Sequence, residues 1–160
     1  MRSKILRRED VAACFRSLRA QGKKVVFTNG CFDIIHPGHI HLLREARRLG
    51  DVLVVAVNTD ESIRRLKGAG RPIFPLAERM EILAAFLMVD YVFPFDEDTP
   101  LRAVEEVVPH VLVKGGDWAV PDIVGSDFVK ARGGEVVSLP HRAGYSTTGI
   151  LARLAGEEKP

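Results

Sequence analysis

A chain of 160 residues is long enough for one hydrophobic core and too short for two substantial domains. Its 46% hydrophobic and 28% charged residues suit an ordinary globular protein, and a net charge of +2 points to neither nucleic acid nor an anionic membrane as partner. Any phosphate binding must therefore come from localised groups.

The amino terminus, MRSKILRRED, is too polar for a signal peptide, and no apolar run reaches membrane-spanning length. Cys14 and Cys31 show no framework spacing, so the expectation is reduced thiols in a cytoplasmic protein.

In chain order, residues 9–21 predict a helix with Val11, Phe15 and Leu18 on one face and Gly22 as its stop. Residues 1–23 read as an N-terminal helical segment, 24–155 as the main domain and 156–160 as a tail. Val25-Val26-Phe27 reads as a buried strand broken by Thr28-Asn29-Gly30. His36-Pro37-Gly38-His39 then opens a helix whose Leu42, Leu43, Ala46 and Leu49 recur at helical spacing. Val52–Val57 is a continuous apolar run, as in a parallel strand covered on both faces. Thr59 or Asp60 caps a short helix over 61–66, and a basic loop, Lys67–Pro72, comes next. Residues 76–88 predict an amphipathic helix with Met80, Leu83, Ala84 and Leu87 inward.

Tyr91-Val92-Phe93 is the next strand. Thr99 caps a helix with Pro100 at its first position, running to Val108. Val111-Leu112-Val113 is a strand, 121–131 a helix, Gly133-Gly134 a turn and Glu135–Leu139 the fifth strand. Gly144-Tyr145-Ser146-Thr147-Thr148 opens a last helix with Ile150, Leu151 and Leu154 inward. Strands alternating with helices imply an α/β fold, a doubly wound parallel sheet of five strands in a single domain. Such sheets bind ligands beyond the carboxyl ends of their strands. Segments 29–39, 58–60, 114–117 and 141–148 all come directly after strands and carry polar residues.

A strand feeding a loop at a helix start is an anion site, because free N–H groups and the positive end of the helix dipole face the same point. His36 and His39 read either as helix caps or as donors to phosphate oxygens. Two of them flanking Pro37-Gly38, with Gly38 letting backbone approach a ligand, favour donors. Asp33 can hold its own loop, orient a substrate hydroxyl or contact magnesium. The loop Lys67–Pro72 is a solvated connector or a source of cations, and no G-x-x-x-x-G-K-[ST] sequence exists to make a P-loop. Arg79 is an auxiliary cation or a surface partner of Glu78 or Asp90. Trp118 either stacks on a ligand or closes a pocket. The three hydroxyls Ser146-Thr147-Thr148 exceed the needs of a helix cap.

The run Gly30–His39, GCFDIIHPGH, resembles the G-x-F-D-x-x-H-x-G-H signature of the cytidylyltransferase-like nucleotidyltransferases. Gly144–Ile150 resembles their closing G-x-S-T-T-x-I motif, and with Lys114-Gly115-Gly116-Asp117-Trp118 the likeness spans residues 24–154. The resemblance implies a Rossmann-like fold. It implies catalytic roles for His36 and His39 as donors to the phosphates, and for Lys67 as a loop lysine reaching the triphosphate. It implies nucleotide contacts from Thr28, Asn29, Gly30, Phe32, Gly38 and Asn58, from Lys114, Gly115 and Asp117, and from Tyr145, Ser146, Thr147 and Thr148. Substrate contacts fall to Asp33, Arg71 and Arg79. Magnesium is expected to be held mainly by the triphosphate, with no protein ligand.

Within the family, Phe27–Asp33, Val57–Ser62, Val113–Asp117 and Lys130–Val137 resemble the adenylyltransferases of D-glycero-β-D-manno-heptose 1-phosphate. That branch implies ATP and heptose 1-phosphate as substrates, with ADP-heptose made for lipopolysaccharide core or other surface glycans. The acceptor phosphate is already ionised at neutral pH, so no general base is assigned. Glycerol-3-phosphate cytidylyltransferases carry R-T-E-G-I-S-T-T near the end. This chain has HRAGYSTT, with the arginine displaced and the glutamate absent, which counts against cytidylyl transfer and against a phosphate role for Arg142. A nucleotide-binding sensor without turnover is the reading from another class, and donors at both ends of a triphosphate argue against it. Many relatives are dimeric and many are fused to a sugar kinase. The expectation is a stand-alone enzyme, a homodimer by that likeness, fed by a separate upstream kinase. A redox role for Cys31 is set aside for want of a second nearby cysteine, leaving a small packing residue.

Overall fold

Valine-rich runs build the centre of the molecule, as β-branched side chains suit a pleated surface. A computed structural model describes residues 4–140, 145, 147–154 and 156. The strands are β1 (Val25–Gly30), β2 (Val52–Asn58), β3 (Tyr91–Phe95), β4 (Val111–Gly115) and β5 (Glu135–Leu139). All neighbours pair in parallel, in the order β3-β2-β1-β4-β5. The helices are α1 (Val11–Ala20), α2 (Pro37–Arg47), α3 (Asp60–Lys67), α4 (Leu76–Ala85), α5 (Leu101–Val107), α6 (Ser126–Lys130) and α7 (Thr147–Leu154).

Strand alternation sorts the core into two layers. Val25, Phe27, Val54, Ala56, Phe93 and Leu112 face α1, α5 and α6, where Val11, Phe15, Ala103, Val104, Val107 and Val129 are buried. Val26, Leu53, Val55, Val57, Val92, Val111 and Val113 face the other way, against Leu43 and Ala46 of α2 and Leu83 of α4. The chain runs outward from β1 to β3 and then crosses back to β4. The order therefore reverses beside β1, where a parallel sheet leaves a crevice at its carboxyl edge.

The expected five-stranded, Rossmann-like sheet is present, with local corrections. Thr28-Asn29-Gly30 does not break β1, because all three pair in register with Val55-Ala56-Val57. The fourth helix stops at Ala85, where Phe86 turns extended, leaving Leu87 96% exposed rather than inward. Leu154 is likewise 78% exposed. Pro100 stands at the cap position of α5, one residue later than the composition suggests. The helix expected over 121–131 is split into a 3-10 turn, Val120–Asp122, and α6. Gly125 divides them at φ 93, a left-handed conformation that costs glycine little, close against Val104 and Leu112.

One pairing was not foreseen. Val92 donates to Lys4 O at 2.9 Å and receives Leu6 N at 2.8 Å, so the N-terminal segment covers the open edge of β3. Of the expected tail 156–160, only Gly156 falls among the described residues. Among those residues no helix is long and apolar enough to cross a membrane.

Candidate active site

Past the core the same alternation decides which polar side chains meet. Asn29, Asn58, Phe95 and Lys114 fall on the sheet face of Phe27, Ala56, Phe93 and Leu112. All four line a cavity of about 480 Å³ at the carboxyl ends of the strands. Gly30, Phe32, Asp33, His39, Lys67, Arg71 and Thr147 complete much of its wall.

Thr28 and Gly115 fall on the opposite face, and neither lines the cavity. Thr28, expected to contact nucleotide, is fully buried, its Oγ1 without a hydrogen-bond partner among the described residues. Gly115, expected likewise, instead makes room for α2: a Cβ there would lie 3.0 Å from Leu42 Cδ2.

The start of α2 is built by His36. Its extended backbone (φ −141, ψ 168) ends the loop, and its Nδ1 accepts the Gly38 N–H at 3.1 Å, capping the helix. Accepting at Nδ1 assigns this imidazole's hydrogen to Nε2. His36 and His39 stack at 3.8 Å between centroids with planes 24° apart, and Phe32 packs 5.1 Å from His39 on its other side. Of the two histidines, His39 lines the cavity and His36 stands behind it. Gly38 is required by this packing. A Cβ there would lie 2.9 Å from the His36 ring and 3.5 Å from Tyr145 Cβ. The closing motif thus sits directly against the first one.

Two of the expected substrate contacts prove to be committed within the fold. The Asp33 side chain is fully buried and accepts from Arg71 Nε at 2.5 Å and from the amides of Ile73 and Phe74 at 2.7 and 2.9 Å. It holds the loop between α3 and α4, and Arg71 is held with it. Arg79 needs a firmer correction. Its guanidinium is fully buried and absent from the cavity wall, so it is neither a ligand for substrate nor a surface partner of Glu78 or Asp90. It donates to Cys31 O at 2.6 Å, Phe74 O at 2.9 Å and Asp60 Oδ1 at 2.7 Å. One buried cation thereby ties together the three loops at the ends of β1, β2 and α3.

Asn58 donates to Ser62 Oγ at 2.9 Å, while Thr59 Oγ1 accepts the Ser62 N–H at 3.2 Å and caps α3. That helix delivers Lys67 to the cavity at its last residue. Lys114 enters from β4, its Nζ 5.8 Å from the centroid of the half-exposed Trp118 ring. Burial lowers the Lys114 ammonium from its ordinary value, and repulsion from Lys67 adds to the effect. Burial raises the thiol of Cys31 above its ordinary value, against the opposing pull of Lys67, Arg79 and Arg71. Asp117 is exposed and stands outside the cavity wall. Of the closing motif, Thr147 lines the cavity at the start of α7. Ser146 and the side chain of Thr148 lie outside the described residues.

Cys31, Leu66, Asp98 and Pro100 also line the cavity and were not anticipated as site residues. The signal for the last two existed, because they come after β3 as the other segments come after their strands. A larger groove of about 640 Å³ adjoins them, but its Arg8, Arg65 and Arg102 are each paired with carboxylates, which leaves no cation for an anionic ligand.

Among the described residues no three His, Cys, Asp or Glu side chains cluster as metal ligands. The two carboxylates at the cavity, Asp33 and Asp98, are occupied by Arg71 and Arg65. This donor set fits a magnesium ion that arrives on a triphosphate and keeps its waters.

Comparison with known proteins decides the family. The cytidylyltransferase-like family matches residues 27–153. The chain belongs to it. The chain is 53% identical over 152 residues to the bifunctional protein HldE of Aliivibrio fischeri, covering 95% of this chain and 32% of that protein. It is 60% identical over 136 residues to HldE of Alcanivorax borkumensis, covering 85% and 29%. This member of the family thus spans about a third of the length of the curated relatives it matches. Among solved structures it resembles the lipopolysaccharide core biosynthesis protein of Thermoplasma volcanium, with TM-score 0.62 and 31% identity, covering 76% of this chain and 98% of that one. Pantoate-β-alanine ligase of Francisella tularensis, at TM-score 0.60 and 16% identity over 97% and 78% of the two chains, shares the fold alone. The family places this chain among the nucleotidyltransferases.

Proposed function

We propose that this chain transfers AMP from ATP to D-glycero-β-D-manno-heptose 1-phosphate, releasing pyrophosphate and giving ADP-heptose. The reading is carried by the meeting of His39 and Thr147, from opposite ends of the sequence, on one cavity with Lys67 and Lys114. Its support in sequence is the identity of 50–60% to HldE over most of the chain.

In the transfer, an oxygen of the sugar phosphate attacks the α-phosphorus of ATP. The bond from that phosphorus to the bridging oxygen breaks, and pyrophosphate leaves with the electron pair. The acceptor oxygen is already an anion, so no proton has to be removed. The protein's contribution is alignment and charge stabilisation. His39 donates to the α-phosphate region from the cavity wall, and the His36 stack fixes its ring. Thr147 and the N–H groups at the start of α7 hold the outer phosphates without adding charge. Lys67, on the same cavity, neutralises the triphosphate. Magnesium bound to the triphosphate supplies further neutralisation of the phosphoryl oxygens.

The test is a matrix of ATP, CTP, GTP and UTP against heptose 1-phosphate, mannose 1-phosphate and glycerol 3-phosphate, read by pyrophosphate formation. ATP with heptose 1-phosphate is expected to exceed every other pair. CTP with glycerol 3-phosphate as the best pair would replace this reading with a cytidylyltransferase. ATP binding without pyrophosphate from any acceptor would leave a sensor.

A further inference from the structure

We propose that the side chain of Lys114 is the acceptor-binding cation of this site, holding the doubly ionised phosphate of the incoming phosphomonoester beside the α-phosphate of the nucleotide. The proposal rests on the transfer reading above and specifies which residue recognises the second substrate.

Two anions must come together for this chemistry, and each needs its own positive partner. Three cationic side chains line the cavity among the described residues, Lys67, Arg71 and Lys114, and a fourth, Arg79, is buried outside its wall. Arg71 is closed against Asp33, and Arg79 is spent on Asp60 and two backbone carbonyls. Lys67 and Lys114 form no ion pair with any described carboxylate, although both line the cavity. They enter from opposite sides of β1, one on the helix after β2 and the other on β4. Lys67 lies close enough for its charge to act on Lys114, which is the more buried of the two. A half-buried ammonium near a second ammonium is unfavourable in itself. A phosphate dianion beside Lys114 relieves both the burial and the repulsion.

The triphosphate has other partners: His39, Thr147 with the start of α7, and Lys67. Lys114 is the cation left over. Its neighbour Trp118, half exposed with the Lys114 Nζ 5.8 Å from its ring centroid, offers a flat apolar face to the sugar carried by that phosphate.

The experiment compares the wild type with Lys114→Met and Lys114→Arg. Steady-state pyrophosphate release is measured against heptose 1-phosphate at saturating ATP and against ATP at saturating acceptor. Affinity for a non-hydrolysable ATP analogue is measured by calorimetry. Lys114→Met is expected to raise KM for the acceptor about tenfold or more, the scale of a lost charge-assisted hydrogen bond, with less than threefold change in analogue affinity. Lys114→Arg is expected to recover part of the loss. Equal weakening of analogue and acceptor, or an unchanged acceptor KM, overturns the assignment while leaving adenylyl transfer intact. A wild type that binds the analogue but forms no pyrophosphate with any phosphomonoester overturns both. Should Lys114→Met fail to fold, Lys114→Gln gives the same comparison.

Discussion

His36 and His39 lie ring upon ring, 3.8 Å apart, with His36 also capping α2 through Gly38 N. Position and chemistry are thereby divided between the two. His39→Ala is expected to lower kcat about 10²-fold or more, the usual scale for removing a transition-state donor, with little loss of stability. His36→Ala should lower the rate and also cost about 1 kcal/mol of stability from the lost cap. Pyrophosphate release and urea titration of both variants check the division. A His39→Ala enzyme of near-normal rate would remove His39 from the chemistry.

Gly38 tests the same packing from the backbone side. The added methyl of Gly38→Ala meets the His36 ring at 2.9 Å, and overpacking of this kind costs about 1–3 kcal/mol. The expected outcome is a lowered melting temperature together with a rate loss of tenfold or more. Thermal melting and initial rates read both at once, and a variant with wild-type values of each would show that the stack tolerates displacement.

Asp33 is expected to act through structure. Asp33→Ala leaves the Arg71 guanidinium and the amides of residues 73 and 74 without their acceptor, and breaking such a buried pair costs about 3 kcal/mol. Denaturant midpoints should fall accordingly, and trypsin should cut faster after Lys67 at the freed end of the loop. Unchanged cleavage and stability, with lost activity alone, would instead place Asp33 on the substrate.

Lys114 gives stability a pH dependence of known sign. Its folded-state value lies below the ordinary 10.5, chiefly through burial. Between those two values the unfolded chain holds a proton that the folded chain has released. Folding stability therefore gains from this group as pH rises through that window and is penalised below it. Lys114→Met should melt no lower than the wild type at pH 7 and should lose part of that alkaline gain. A variant less stable at pH 7 than at pH 10, relative to wild type, would contradict the sign.

The sheet was legible because its strands are written as apolar runs, and a run of that kind suits a parallel strand in any loop context. The site was legible in part for the same reason, since most of its segments begin where an apolar run ends, whereas Leu66, Lys67 and Arg71 come from the end of α3 and the loop after it. Direction was the part that escaped. Thr28 and Gly115 stand beside true wall residues in sequence, yet the two-residue period of a strand turns them to the other face. Arg79 reads equally as an auxiliary cation or as a surface partner of Glu78 or Asp90, and only the convergence of Cys31, Asp60 and Phe74 shows it to be the buried tie between loops. Leu87 fits a helical period that the backbone abandons at Phe86. Asp98 and Pro100 carry no motif, and their place in the wall is set by the neighbouring Arg65–Asp98 pair and the end of β3.

The most direct measurement is label transfer from ATP labelled on its α-phosphate, incubated with magnesium and heptose 1-phosphate. The account predicts that the label moves wholly into a sugar nucleotide, only when acceptor is present, with one unlabelled pyrophosphate released per transfer. Label recovered in AMP or ADP alone, or released at the same rate without acceptor, would contradict it.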